Sequence, residues 1–226
     1  MEYIRFLIIT KKLEVIDEFS QAHQMNDTIY TIGHSNHEIA VFLNLLQIHN
    51  ISALGDVRSQ PYSHYVPQYS QETLKAELAK FNISYVFLGK ELGARSDNPN
   101  CYCHGKVQYQ RLAQESLFIQ GINRVQQGMK RYQIALMCSE KDPIECHRAI
   151  LITRQLAENN ILINHIHADG SLETQQAMES RLLQLCKLPE GDMFNNRAHF
   201  LAEAYKIQEE RIAYLDETQK NIENQA

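Results

Sequence analysis

The amino-acid sequence predicts an α/β protein: a mainly parallel sheet of about five strands with helices on both faces, a Rossmann-like three-layer sandwich. Three observations carry this reading. Short β-type runs alternate with stretches of helical period throughout the chain. The segment from Ile134 to Met137 is apolar without interruption, as expected of a strand covered on both faces. With 226 residues, 44% hydrophobic and 22% charged, the chain has ordinary globular composition and can bury a sizeable core.

Taken in order, residues 28–33 (TIYTIG) predict the first strand. Ser35, with Glu38 three places on, predicts a capping box for a helix burying Ile39, Phe42, Leu43 and Leu46. Residues 51–57 (ISALGDV) predict the second strand, and a loop with Pro61 and Pro67 follows. Ser70 is placed to cap a helix carrying Leu74, Leu78 and Phe81. A third strand is predicted at 84–88, then an irregular stretch over 89–106 rich in Gly and Pro. One helix is predicted over 108–130, its buried face formed by Phe118, Ile122, Val125 and Met129.

The fourth strand is predicted at 132–138. Asp142–Pro143 then predicts a helix start, with Pro at the first helical position and Glu145 completing a second capping box. A fifth strand is predicted over 161–167, leading through Asp169–Gly170 to a helix with Met178, Leu182 and Leu185. The reading divides the chain into an N-terminal extension (1–27), an α/β domain (28–195) and a helical tail (196–226) that docks on the domain or bridges a partner.

Composition excludes several classes. The net charge of −5 and pI near 6.1 argue against broad attraction to nucleic acid or acidic lipid. No apolar run approaches the roughly 20 residues that cross a bilayer. Residues 6–9 (FLII) are too short for a signal-peptide core and lead straight to Lys11 and Lys12. Cysteines at 101, 103, 138, 146 and 186 form no even ladder, so reduced thiols and a cytoplasmic location are expected. Neither G-x-G-x-x-G nor a G-x-x-x-x-G-K-[ST] loop occurs, which weighs against nicotinamide and P-loop chemistry.

Ligands in open α/β sheets bind outside the carboxyl ends of the strands. Polar residues follow four of the five predicted strands: His34 and Ser35 after the first, Asp56 and Arg58 at the second, Glu91 and Arg95 after the third, and Cys138 through Arg148 after the fourth. Candidate catalytic residues are therefore Asp56, Glu140, His34, Cys146 and His147. Candidate substrate-binding residues are Arg58, Arg148, Ser35 and Arg95. Asp56 and Arg58 flank Val57 and share a sheet face, either as an ion pair or as base and anion clamp; Glu140 and Arg148 are expected to repeat the pair.

Each residue also has a plainer reading. Cys146, expected four residues into its helix, sits near acids 142 and 145 that oppose a thiolate, and Cys138 ends a buried strand where cysteines are often inert. No metal or cofactor is predicted. Zinc on Cys138, Cys146 and His147, with His34 or the 101–104 run, is the alternative, made awkward because helical neighbours point about 100° apart. His165 and His167 read as core-satisfied, and Cys186 as packing. Tyr62, Tyr65 and Tyr69 either stack on a base or sugar or pack on their own domain.

TIGHSN at 31–36, DVRSQP at 56–61, ELGAR at 91–95 and CSEKDPIECHR at 138–148 together resemble the domain-of-unknown-function family 488. The resemblance runs from about Thr28 to beyond Arg197 and leaves residues 1–27 outside. It implies an α/β fold and a shared polar pocket, with no established substrate or cofactor. A weaker likeness to rhodanese-like sulfurtransferases rests on Asp56-Val57-Arg58 and on Cys138 at a strand tip. Their cysteine loop closes on an Arg about five residues on, whereas here that place holds Pro143 and the first Arg is Arg148.

The leading functional expectation is an enzyme acting on a small anionic or nucleotide-like molecule by hydrolysis or group transfer. A nucleic-acid-associated repair or modification module and a non-enzymatic metal or thiol sensor are the alternatives. A homo-oligomer is compatible with the sequence.

Overall fold

Eight strands are formed by the chain in the computed structural model, which describes residues 28–218 and 220. They are β1 (Thr28–Gly33), β2 (Ala53–Asp56), β3 (Ser84–Phe87), β4 (Tyr102–Cys103), β5 (Lys106–Val107), β6 (Ile134–Cys138), β7 (Leu162–Ile166) and β8 (Leu172–Thr174). Six of them build one sheet in the order β3-β2-β6-β1-β7-β8, and β4 and β5 form a separate hairpin. The first five strands of the main sheet are parallel, and β8 adds an antiparallel edge. The proposed extension over residues 1–27, with its FLII run, and the last residues of the tail lie outside the described residues.

Helices cover both faces. On one side α1 (Ile39–Ile48) and α2 (Gln71–Ala79) bury Phe42, Leu43, Leu46, Leu74 and Leu78 against Ile32, Leu54, Ala135 and Met137. Between β3 and β6 run two four-residue helices, α3 (Gly89–Leu92) and α4 (Tyr109–Leu112), and then α5 (Ser116–Met129). On the opposite side Phe118, Ile122, Val125 and Met129 of α5 meet Ile134 and Leu136. The same layer includes α6 (Arg154–Glu158), α7 (Gln175–Leu185) and α8 (Arg197–Ile212), which bury Leu156, Leu182 and Tyr205. Every residue of β6 is buried, and its side chains alternate between the two cores, as its apolar run requires.

The topology locates the site. β2 leads outward to β3 on one side, whereas β6 leads to β7 on the other, so connections diverge between neighbouring β2 and β6. That divergence opens a crevice at the carboxyl edge. Register aligns the tips: Gly33 lies beside Cys138, and Asp56 beside Met137.

The five expected parallel strands are present with one more added, and three other expectations are corrected. The sheet has six strands, because Asp169 accepts hydrogen bonds from the Ser171 N–H and hydroxyl (2.9 and 2.6 Å) and turns the chain into β8. Three residues are too few for a period-2 signal. Ser35 caps nothing: its φ is +48°, and α1 starts at Ile39 after Glu38. Strand pairing wins there, since the N–H groups of His34 and Ser35 donate to Cys138 and Ser139 carbonyls at 2.9 Å each. The helix expected over 108–130 is broken into α4 and α5.

The third correction reshapes the site. Asp142 does cap its turn, accepting from the Ile144 N–H at 2.9 Å, but Pro143–Glu145 is a single 3₁₀ turn. Cys146 follows in extended conformation (φ −139°, ψ 139°), and a π-helix, Arg148–Thr153, leads into α6. Elsewhere Phe81 and Leu185 are 42% and 46% exposed, so the predicted hydrophobic stripes stop one residue short. The tail docks on its own domain through α8, where Gln208 donates to the Ile144 carbonyl at 3.1 Å.

Gly33 is needed for the close approach of β1 to the segment after β6: a Cβ there would lie 1.8 Å from the Glu140 carbonyl oxygen. Gly33→Ala is expected to destabilise the fold by about 3 kcal/mol through overpacking, measured by urea denaturation.

Candidate functional site

A cleft of about 360 Å³ lies at the carboxyl edge of the sheet, with Cys138, Glu140, Cys146, His147 and Arg58 in its lining. Tyr109 and Tyr214 complete the wall, and Arg95 is stacked on the Tyr214 ring at 4.3 Å. A larger cavity of about 670 Å³ next to α4, α6 and α8 shares Tyr109 but touches neither Cys138 nor Cys146. Size alone favours the larger space; the convergence of sulfur, imidazole and carboxylate favours the cleft.

Cys138, Cys146 and His147 are all buried, and their ligand atoms lie within 4.8 Å of one another. The extended backbone at Cys146 makes this possible, so the expected 100° divergence of helical neighbours does not apply. His147 Nε2 lies 3.1 Å from the Val57 carbonyl, which can only accept, so Nε2 carries a proton. Nδ1 then faces Cys138 Sγ at 3.7 Å and Cys146 Sγ at 3.9 Å. Tetrahedral zinc, with Zn–S about 2.3 Å and Zn–N about 2.0 Å, has S···N edges of about 3.5 Å. The cluster could bind a metal of that kind. The 101–104 run and His34 are not part of it.

Charge in the cluster is unevenly divided. Burial opposes ionisation of Cys146, but the Cys138 thiol, the Arg148 guanidinium and His147 outweigh it and hold Cys146 well below the usual thiol value. Cys138 is pushed well above that value by its bond to Cys146 and by burial. Burial also opposes charge on His147, yet its interaction with Cys146 raises it. Glu140 is raised by burial and then by the charge on Cys146. Its Oε2 lies 2.9 Å from Cys146 Sγ, so thiol and carboxyl share one proton. The Arg148 N–H points at the same sulfur from 3.4 Å. Acids 142 and 145 do not decide the matter, because Asp142 is tied to Arg181 at 2.8 Å and Glu145 is exposed.

Asp56 and His34 stand behind this cluster. Residues 54 and 56 face the α1–α2 side of the sheet and Cys138 faces the α5 side. Arg58 grips Asp56 through Nε and Nη2 (2.9 and 2.6 Å), and Tyr85 donates to the same carboxylate at 2.8 Å. Arg58 also donates to the Tyr69 carbonyl at 2.8 Å and to His34 Nε2 at 3.1 Å. His34 Nδ1 donates to the Ser35 carbonyl at 2.8 Å, leaving neither ring nitrogen open. Burial and then Arg58 lower His34 to about 4, so it is neutral near pH 7. Proton transfer by Asp56 or His34 therefore does not fit this geometry; both are framework.

Arg148 is likewise corrected. It is 0% exposed, and its Nη1 and Nη2 donate to the Glu140 and Lys141 carbonyls at 2.7 and 3.2 Å. The expected Glu140–Arg148 side-chain pair is absent, and Arg148 is not placed to take an anion. Ser35 does not line the cleft, and its hydroxyl reaches only Asn36. Arg95 remains available: it is exposed and forms no ion pair among the described residues.

Several plainer readings stand. His165 is buried between Thr31 (2.8 Å) and Gln175 (3.1 Å), and His167 pairs with Glu173. Tyr69 packs inside on the His34 ring, whereas Tyr65 is 97% exposed and Tyr62 reaches the cleft. The sequence does not single out Tyr109 or Tyr214, one falling in the first turn of the helix expected over 108–130 and the other in the tail. Burial, then Cys146 and Glu209, push the Tyr109 phenol above its ordinary value.

The family model Domain of unknown function DUF488 matches residues 38–155, just over half of the chain. The chain belongs to this family. The matched part of this DUF488 protein includes Asp56, Arg58, Arg95, Tyr109 and the whole Cys138–Arg148 segment, while His34 and Tyr214 lie outside it. Neither the curated proteins nor the solved structures gave a match. The weaker likeness to rhodanese-like domains is carried no further by these comparisons.

Two predictions follow from the framework. Asp56→Asn leaves Arg58 buried without its counter-charge and is expected to cost about 3–5 kcal/mol in chemical denaturation. His34 and His165 both have folded-state values of about 4 against 6.5 unfolded. Below pH 6.5 the unfolded chain binds more protons, so stability falls with pH, by about 2 kcal/mol per histidine at pH 5. Urea titrations at pH 7 and 5 check this, and His165→Gln is expected to flatten the dependence.

Proposed function

We propose that this DUF488 protein is an enzyme acting on a small anionic or nucleotide-like molecule by hydrolysis or group transfer, with zinc held by Cys138, Cys146 and His147. The observation that carries the reading is the direction of His147: its Nδ1 faces two thiols while Nε2–H is fixed by the Val57 carbonyl. Outer hydrogen bonds of that kind orient metal-binding histidines. Zinc with three protein ligands supplies a Lewis acid and lowers the pKa of bound water.

Glu140 is the partly open member of the cluster and the group suited to moving a proton between solvent and the reacting centre. Arg95 supplies positive charge for an anion. A cleft of about 360 Å³ suits a small molecule better than a polymer. No helix among the described residues is long and apolar enough to cross a membrane. The need for reduced thiols at Cys138 and Cys146 favours a cytoplasmic setting.

One observation favours a second reading. Cys146 precedes a helical segment, receives the Arg148 N–H and shares a proton with Glu140, which are the features of an activated thiolate nucleophile. Metal analysis separates the two. Full-length protein purified without a metal-binding tag is expected to contain about one zinc per chain, lost in Cys138→Ser and Cys146→Ser, with chelation lowering Tm. A metal-free protein that added zinc does not stabilise, and whose Cys146 reacts rapidly with iodoacetamide at pH 6, would overturn zinc and leave the nucleophile.

A further inference from the structure

We propose that Tyr109 is a substrate-contacting hydrogen-bond donor of this site, holding an oxygen of a small oxyanion against the Cys138–Cys146–His147 cluster. The proposal rests on the cleft reading above and adds to it a residue and a recognised group.

The other well-buried tyrosines each give their hydroxyl a partner. Tyr69 donates to the His37 carbonyl (3.0 Å), Tyr102 to the Ser96 carbonyl (2.8 Å) and Tyr205 to Glu179 (2.9 Å). Half-buried Tyr85 donates to Asp56 at 2.8 Å. Tyr109 is only 4% exposed, yet its hydroxyl makes no hydrogen bond to the described residues. It is not sealed in either, since the sealed polar atoms without a partner are Ser70 Oγ and Arg148 Nε. Its hydroxyl therefore meets open space. A donor that no protein group uses is open to a ligand oxygen.

The backbone that carries it is fixed on both sides. The Tyr109 N–H donates to Glu209 Oε1 at 2.6 Å, and its carbonyl accepts from the Ala113 N–H at 2.8 Å. The Arg111 guanidinium ties α4 further in place, donating to the Asn100 and Tyr102 carbonyls at 3.0 and 2.9 Å. Tyr109 lines both cavities, and after burial Cys146, Glu209, Cys138 and Glu140 are the groups that bear most on its phenol. Surroundings rich in acceptors leave an incoming oxygen short of donors. Tyr109 supplies a neutral one, and Arg95, supported on Tyr214, supplies the charge.

The test uses the full chain, with Tyr109→Phe and Arg95→Ala compared by calorimetric titration with inorganic phosphate. Tyr109→Phe is expected to keep its circular dichroism, Tm and metal content while binding phosphate about tenfold more weakly, the effect of one hydrogen bond. Equal affinity in wild type and Tyr109→Phe, with Arg95→Ala weakened, overturns Tyr109 alone and leaves the anion reading standing. A wild-type chain that does not bind phosphate overturns the anion reading and the assignment of Tyr109 together.

Discussion

The buried pair of Asp56 and Arg58 is the constraint on which the carboxyl edge of the sheet depends. Arg58 is 5% exposed and Asp56 0%, so neither charge is tolerable without the other. Their bidentate contact places one guanidinium where it also holds His34 from β1 and the Tyr69 carbonyl from the loop before α2. Tyr85 on β3 closes the carboxylate from the far side. Three strands and a loop thus share one network, whose polar groups satisfy each other. Because Val57 lies between the two charges and faces the other layer, its carbonyl is positioned for His147. The framework on one face of the sheet therefore fixes the orientation of an imidazole on the other.

This division explains why residues that looked alike in the sequence take different parts. Asp56, His34 and Arg148 are polar, close to strand tips and heavily bonded to protein groups. Glu140, Cys146, His147 and Arg95 keep atoms directed at the cleft. The distinction follows from sheet parity and from the local path after β6, both of which shift with a single residue of backbone geometry.

The alternation of strands and helices, the two-faced burial of β6 and the gathering of polar groups at one edge were all legible from periodicity and composition. Several features were not. The capping box at Ser35 lost to continued pairing between the segments after β1 and β6, a tertiary effect invisible to local spacing. The run after Asp142 has every mark of a helix start, yet the chain extends at Cys146 before coiling again as a π-helix. That detour turns two adjacent residues from divergent into convergent ligands. β8 was hidden by its length, and Tyr109 by its place in the first turn of what reads as one long helix over 108–130.

The carboxyl-terminal arm has a consequence beyond packing. The matched family region ends at residue 155, yet Ile212 and Tyr214 from the far end of the chain form part of the cleft wall. Sulfur, imidazole and carboxylate thus come from one stretch of polypeptide, while part of the doorway is cut by another. Substitutions at Ile212 and Tyr214 would reshape that doorway without replacing any of the three residues of the sulfur–imidazole cluster.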